Sequence, residues 1–147
     1  HTLTLFPYTT LFRSNGYIFG LKTGLTMGEF ESDFVRINGN GRLNYLTSDT
    51  FGTGAVVQLV NNANEEIIGT YTIIIFGDVN GDGNIDSADA GLLVDIENWI
   101  VEWPAGSVNY LAGDVNGDGN IDSGDSGILT DVENFMRDID QTTGLAY

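Results

Sequence analysis

Residues Asp78–Ile100, DVNGDGNIDSADAGLLVDIENWI, recur at an offset of 36 as Asp114–Met136, DVNGDGNIDSGDSGILTDVENFM, with sixteen of 23 aligned positions identical. Two copies are too few for a solenoid, so the repeat predicts a paired module. In each copy the first dozen residues carry side-chain oxygens at fixed spacing, and the next eleven read as a helix.

In the first loop, acidic or amide side chains occupy positions 1, 3, 5, 9 and 12 as Asp78, Asn80, Asp82, Asp86 and Asp89. Gly83 stands at position 6, where a sharp turn disfavours a Cβ atom. Asn84, at position 7, offers a backbone carbonyl, and Ile85 at position 8 is an apolar anchor. The second loop repeats the frame with Asp114, Asn116, Asp118, Gly119, Asn120, Ile121, Asp122 and Asp125. A hard cation with six or seven oxygen ligands at about 2.3–2.6 Å requires this order, because alternate residues of a tight loop point inward. Two like charges 4 Å apart repel by roughly 4 kcal/mol at an effective dielectric near 20, so four carboxylates in one loop call for a divalent ion. A merely solvated acidic loop needs neither the glycine nor the apolar anchor, and does not need the frame twice. Calcium is the expected cofactor, two ions in all. Aspartate rather than glutamate at position 12 shortens that arm and shifts the balance toward looser calcium or Mg²⁺ binding.

The charge distribution agrees with a local cause. The chain has 21 acids against five Lys and Arg, a formal net charge of −16. Fifteen of the acids, with a single base, Arg137, fall between Asp78 and Asp140. Such an excess excludes nucleic acid as a partner. No apolar run is long enough to span a membrane, and without cysteine there is no disulfide, thiolate nucleophile or zinc–thiolate site.

Behind each loop, Leu92, Leu93, Ile96, Trp99 and Ile100 recur at three- and four-residue steps, as do Ile128, Leu129, Val132, Phe135 and Met136. This spacing predicts two amphipathic helices packed on each other, with Trp99 and Phe135 in the core. The run GTYTIIIFG ahead of the first loop is strand-like, and Pro104, Gly106 and Gly113 allow at most a short helix ahead of the second. Each motif is thus a loop followed by one helix.

These residues resemble a dockerin module, the calcium-binding cap that plugs secreted enzymes and scaffold proteins into cohesin domains. The resemblance covers about Gly77–Asp138 and rests on DVNGDGNIDSADAGLL and DVNGDGNIDSGDSGIL, which follow the family's DxNxDGxxxxxD loop, trailing helix and missing leading helix. It implies calcium ligation by Asp78, Asn80, Asp82, the Asn84 carbonyl, Asp86 and Asp89, and by Asp114, Asn116, Asp118, Asn120, Asp122 and Asp125. It further implies a cohesin-binding surface of Ser87, Ala88, Val94, Asp95 and Trp99 in copy one, and Ser123, Gly124, Thr130, Asp131 and Phe135 in copy two. Many family members carry basic residues on the helix where this chain has Val94, Asp95, Thr130 and Asp131, so its acidic face needs a different, less acidic partner surface. Internal two-fold symmetry would let the partner dock through either helix.

Ahead of the repeat, short apolar stretches alternate with turns. Strands are expected near Tyr17–Leu21, Phe34–Ile37, Leu43–Leu46, Val56–Val60 and Thr70–Phe76, and a short helix over Met27–Phe34 capped by Thr26. The expected fold class is α+β: a small all-β, immunoglobulin-like module at 15–76, an all-α dockerin-like pair of calcium loop-helix (F-hand) motifs at 77–140, and a tail at 141–147. The last strand enters Asp78 without a flexible linker, which predicts rigid coupling of the modules. Within residues 1–14, TLFPYTTLFRS resembles the translation of a sequencing-library adapter. The natural chain is therefore expected to extend upstream, toward a signal peptide and further domains such as a glycoside hydrolase.

Nothing in the chain itself reads as an enzyme. The only histidine is His1, and the free acids Glu29, Glu31, Asp33, Glu65 and Glu66 lie in expected turns or on solvated faces. The expected function is calcium-dependent anchoring of a secreted bacterial protein to a cohesin-bearing scaffold, as in a cellulosome. The alternative is a calcium-stabilised structural module packed on its own β domain without a cohesin partner.

Overall fold

The computed structural model describes residues 4–7, 12–14, 16–46 and 50–147. The remainder of the expected leader, residues 1–3 and 8–11, and Asn15 lie outside the described residues. The fold is α+β. Among the described residues, nine short strands form three sheets: β1 (Thr4–Pro7), β2 (Phe12–Ser14), β3 (Tyr17–Phe19), β4 (Val35–Asn38), β5 (Gly41–Tyr45), β6 (Val56–Asn61), β7 (Ile67–Ile73), β8 (Ile139–Asp140) and β9 (Leu145–Ala146). The main sheet has the order β2-β3-β7-β6-β5, with β3 parallel to β7 and every other pairing antiparallel. β1 pairs with β4 in a separate ribbon, and β8 with β9 at the C-terminus.

Thr26 starts the helical turn α1 (Met27–Glu29) with a reciprocal cap. Its hydroxyl accepts from the Glu29 N–H at 3.2 Å, and the Glu29 carboxylate accepts from the Thr26 N–H at 3.0 Å. The turn continues as a π-helical segment, Phe30–Phe34, whose Phe30 is fully buried beside Phe51. That segment and Val35 of β4 cover the main sheet, and the first core forms between them from Ile18, Leu43, Val57, Leu59 and Ile73.

The second core lies under the repeat, where α2 (Ser87–Glu97) packs on α4 (Ser123–Glu133). Leu93 and Leu129 are fully buried, with Ala90, Ile128, Val79, Val115 and Ile121 around them. Between the repeats, α3 (Val108–Gly113) is the short helix that Pro104 and Gly106 permit, capped by Ser107. Tyr110 and Asn109 on α3 staple the loops: the Tyr110 hydroxyl donates to the Gly119 carbonyl at 2.9 Å, and the Asn109 amide to the Val79 carbonyl at 2.9 Å.

Two sequence expectations are corrected. Trp99 and Phe135 are not core: they are 80% and 96% exposed, with Ile100 and Met136 exposed beside them. The helices stop at Glu97 and Glu133, and the next residue but one turns to φ of 60° at Trp99 and 59° at Phe135. This reversal carries the side chains off the stripe that the three- and four-residue spacing implied. The last strand of the β module ends at Ile73 rather than Phe76. Ile73 and Ile75 enter the first core while Ile74 enters the second, so this run leaves the sheet and sews the two cores together. The C-terminal segment read as a tail supplies β9, and the Gln141 side chain donates to the Phe76 carbonyl and accepts from its N–H, both at 2.8 Å.

Candidate metal centre

Each loop is organised by its first and last aspartates. Asp78 accepts from the Gly81 N–H at 2.9 Å and from the Gly83 N–H at 3.0 Å; Asp114 accepts from the Gly117 and Gly119 N–H groups, both at 2.9 Å. Gly83 and Gly119 adopt φ of 88° and 86°, left-handed backbone that explains glycine at position 6. Asn80 and Asn116 then accept from the N–H of Asp82 and Asp118, and these aspartates from Asn84 and Asn120. Asx turns of this kind wind the loop and bring alternate side chains to one side.

Asp89 and Asp125 close the loops from the first turn of the following helix. One oxygen of Asp89 accepts from Val79 and Asn80 at 2.9 and 3.0 Å, and the other from Asp86 at 2.9 Å. Asp125 makes the same three contacts with Val115, Asn116 and Asp122. Position 9 also serves the helix, since Asp86 and Asp122 are the N-caps of α2 and α4, accepting from Ala88 and Gly124 at 2.8 and 2.7 Å. Loop closure and helix initiation therefore use the same carboxylates.

One carboxylate oxygen from each of Asp78, Asp82 and Asp89 lies within 4.8 Å of the other two, and the same holds for Asp114, Asp118 and Asp125. Two oxygens on one calcium ion are separated by at most about 5 Å, and the donors are hard, anionic and free of nitrogen and sulfur, so both sites fit calcium. Burial pushes the Asp78 carboxyl up to about 6, with the Asp89 charge adding to it, against hydrogen bonds from Thr53, Gly83 and Gly81. Burial also raises Asp89 and Asp125. A cation is what such desolvated like charges lack. The structure gathers positions 1, 5 and 12 of each loop, sets the position-3 amides against position 5, and turns position 9 toward the helix.

The residues expected to meet a partner sit on the surface. Ser87, Ala88, Val94, Trp99, Ser123, Gly124, Thr130 and Phe135 are exposed, and Asp95 and Asp131 half-exposed. Sequence reasoning missed one group altogether. Thr53 donates its N–H to Asp78 at 2.9 Å, and Gly24 donates to the Gly83 carbonyl at 2.8 Å, both reaching from the β module to the first loop. The one signal in the sequence was FGTG at Phe51–Gly54, a glycine-flanked turn with no role in the expected strands.

Searches of curated proteins and of solved structures return no match to this chain. Residues 76–131 match the family model described as the dockerin type I domain. That match falls on the two acidic loops and the helices they cap, and makes the 76–131 segment a type I dockerin module.

Proposed function

We propose that this chain is a calcium-dependent anchoring module, which loads two calcium ions and binds a cohesin domain of a scaffold protein, in a cellulosome-like assembly of secreted bacterial proteins. Dockerin domains in general bind calcium and cohesins, and the observation that carries the reading here is the pair of three-carboxylate clusters. Asp78, Asp82 and Asp89 would hold one ion and Asp114, Asp118 and Asp125 the other, with Asn80, Asn116 and the carbonyls of Asn84 and Asn120 completing the oxygen sets. Asp86 and Asp122 would join through water. When bound, the ion would neutralise carboxylates that otherwise repel, and the same loop residues would then keep each helix N-terminus in register.

The partner surface follows from what the loops hold in place. Ser87 and Ala88, and Ser123 and Gly124, open the two helices, and Trp99 and Phe135 stand exposed at their far ends. Exposed aromatic side chains of this size make effective interface anchors. Both copies expose the corresponding positions, with serine and aspartate identical in each, which supports docking by either helix. Of the acids outside the loops, Glu29 serves the Thr26 cap and Glu65 pairs with Arg42. The core that Val35 of β4 shares with the main sheet supports reading the module at 15–76 as small and immunoglobulin-like.

Capture of the full chain by a panel of immobilised cohesins, with calcium and with excess chelator, tests the reading. Calcium-dependent capture is expected, and separate changes at Ser87 and Ser123 should each leave it largely intact. Calcium-dependent folding without capture by any cohesin would favour the alternative, a structural module serving its own β domain, which the Thr53–Asp78 contact supports.

A further inference from the structure

The two loops match bond for bond inside their frames but differ in what lies against them. Asp78 is fully buried, whereas Asp114 is half-exposed. The difference is the β-module turn Phe51–Gly54. Thr53 reaches Asp78 Oδ2 with its N–H at 2.9 Å, while its hydroxyl bonds both the N–H and the carbonyl of Ile75, at 3.0 and 2.9 Å. The donor is thus pinned by the strand run that leads into the loop. The approach is backbone to backbone: a methyl group on Gly52 would lie 2.5 Å from Asp78 Oδ2 and from the Gly81 carbonyl, and 2.6 Å from the Gly83 nitrogen. One on Gly83 would lie 2.6 Å from the Phe51 carbonyl, and one on Gly81 2.6 Å from that of Thr53. In the second loop a methyl on Gly119 would meet nothing within 4 Å, and one on Gly117 only the Leu145 side chain.

We infer that the Phe51–Gly54 turn is a built-in part of the first calcium site, with Thr53 as a positioning residue for Asp78, so that ion binding at the first loop is coupled to the β module and ion binding at the second is not. This rests on the calcium reading above. A hydrogen bond to the ligand carboxylate fixes its orientation and tunes its affinity for metal by about 10–100-fold in general. The Thr53 N–H holds Asp78 Oδ2 toward the loop before the ion arrives, while the seat at Gly52 keeps water from that oxygen. The Gly24 N–H on the Gly83 carbonyl steadies the loop's turn from a second point of the same module. No protein donor from the β module reaches Asp114 among the described residues, whose partners are Gly117, Asp118 and Gly119.

The test uses the full chain and calcium calorimetry. Asp118→Ala leaves the first site to be read, and Asp82→Ala the second. Adding Gly52→Ala should raise the dissociation constant at least tenfold in the Asp118→Ala chain and change it less than twofold in the Asp82→Ala chain. Equal effects in both, or none in either, would overturn the inference. If neither chain binds calcium before Gly52 is changed, the calcium reading itself fails instead. Amide exchange on the unaltered chain gives an answer independent of any variant's folding. Calcium should slow exchange at Thr53 at least tenfold together with Gly81 and Gly83. A Thr53 amide indifferent to calcium, while Gly81 and Gly83 respond, would also overturn it.

Discussion

Trp99 and Phe135 hold left-handed backbone at the residue where helices usually place glycine. The surrounding bonds are those of a Schellman ending in both copies: Trp99 N–H to the Ile96 carbonyl and Ile100 N–H to that of Asp95, matched by Phe135 to Val132 and Met136 to Asp131. Left-handed backbone costs a side chain of this kind about 1–2 kcal/mol relative to glycine. With most of the ring in water, burial returns little of that. Trp99→Gly should therefore raise stability by about 1 kcal/mol in a denaturant melt and leave capture by cohesin largely intact while Phe135 remains. Trp99→Gly together with Phe135→Gly should weaken capture, and a double variant that binds as well as the parent would remove both aromatics from the partner surface. Asp78 sets a pH dependence. Its folded carboxyl titrates near 6, above the ordinary aspartate value of 3.8, so the folded metal-free chain holds a proton that the unfolded chain has released. That contribution is fully present below the unfolded value and is lost as pH rises through 6. Melting temperature in chelator should fall between pH 4.5 and 7, and the repulsion of 21 acids acts in the same direction. In calcium the trend should reverse over that window, since proton and metal compete for the same oxygens.

At the scale of the element, each helix begins on loop carboxylates and is pinned by one leucine. Leu93 and Leu129 are fully buried and face each other's helix, and changing either to alanine should cost about 2–5 kcal/mol by chemical denaturation. A loss below 1 kcal/mol would mean that the α2–α4 contact is not what closes the second core. The loops were legible in the sequence because their order is local: every internal bond of the frame joins residues at most ten positions apart. The capped turn at Thr26 was legible for the same reason, since Thr and Glu three apart announce it. The helix ends were not. Without glycine at the reversal, Trp99 and Ile100 simply continue the apolar spacing, and only the chain's turn removes them from it. Nor was the end of β7, because three consecutive isoleucines read as strand whichever core each one enters.

For the whole molecule the decisive feature is Ile73–Ile75, whose members alternate between two cores. Phe19 stacks edge-on with Phe76 at a centroid distance of 5.9 Å, adding a second seam. Calorimetry on the calcium-loaded chain should show one transition whose calorimetric and van't Hoff enthalpies agree; two resolved peaks would mean that the cores melt separately. That the two halves touch was to be expected from the absence of a linker. The Thr53–Asp78 bond, across 25 residues, was not, because nothing local in FGTG points to a loop that distant. A cut placed where the family match begins, at residue 76, would pass through this seam. A protein engineer who moves such a cap onto a new cargo would leave the Thr53 donor behind and open the Asp78 side of the first loop to solvent. The portable unit of this chain is therefore larger than its homology boundary, and a transplant should carry the preceding module along.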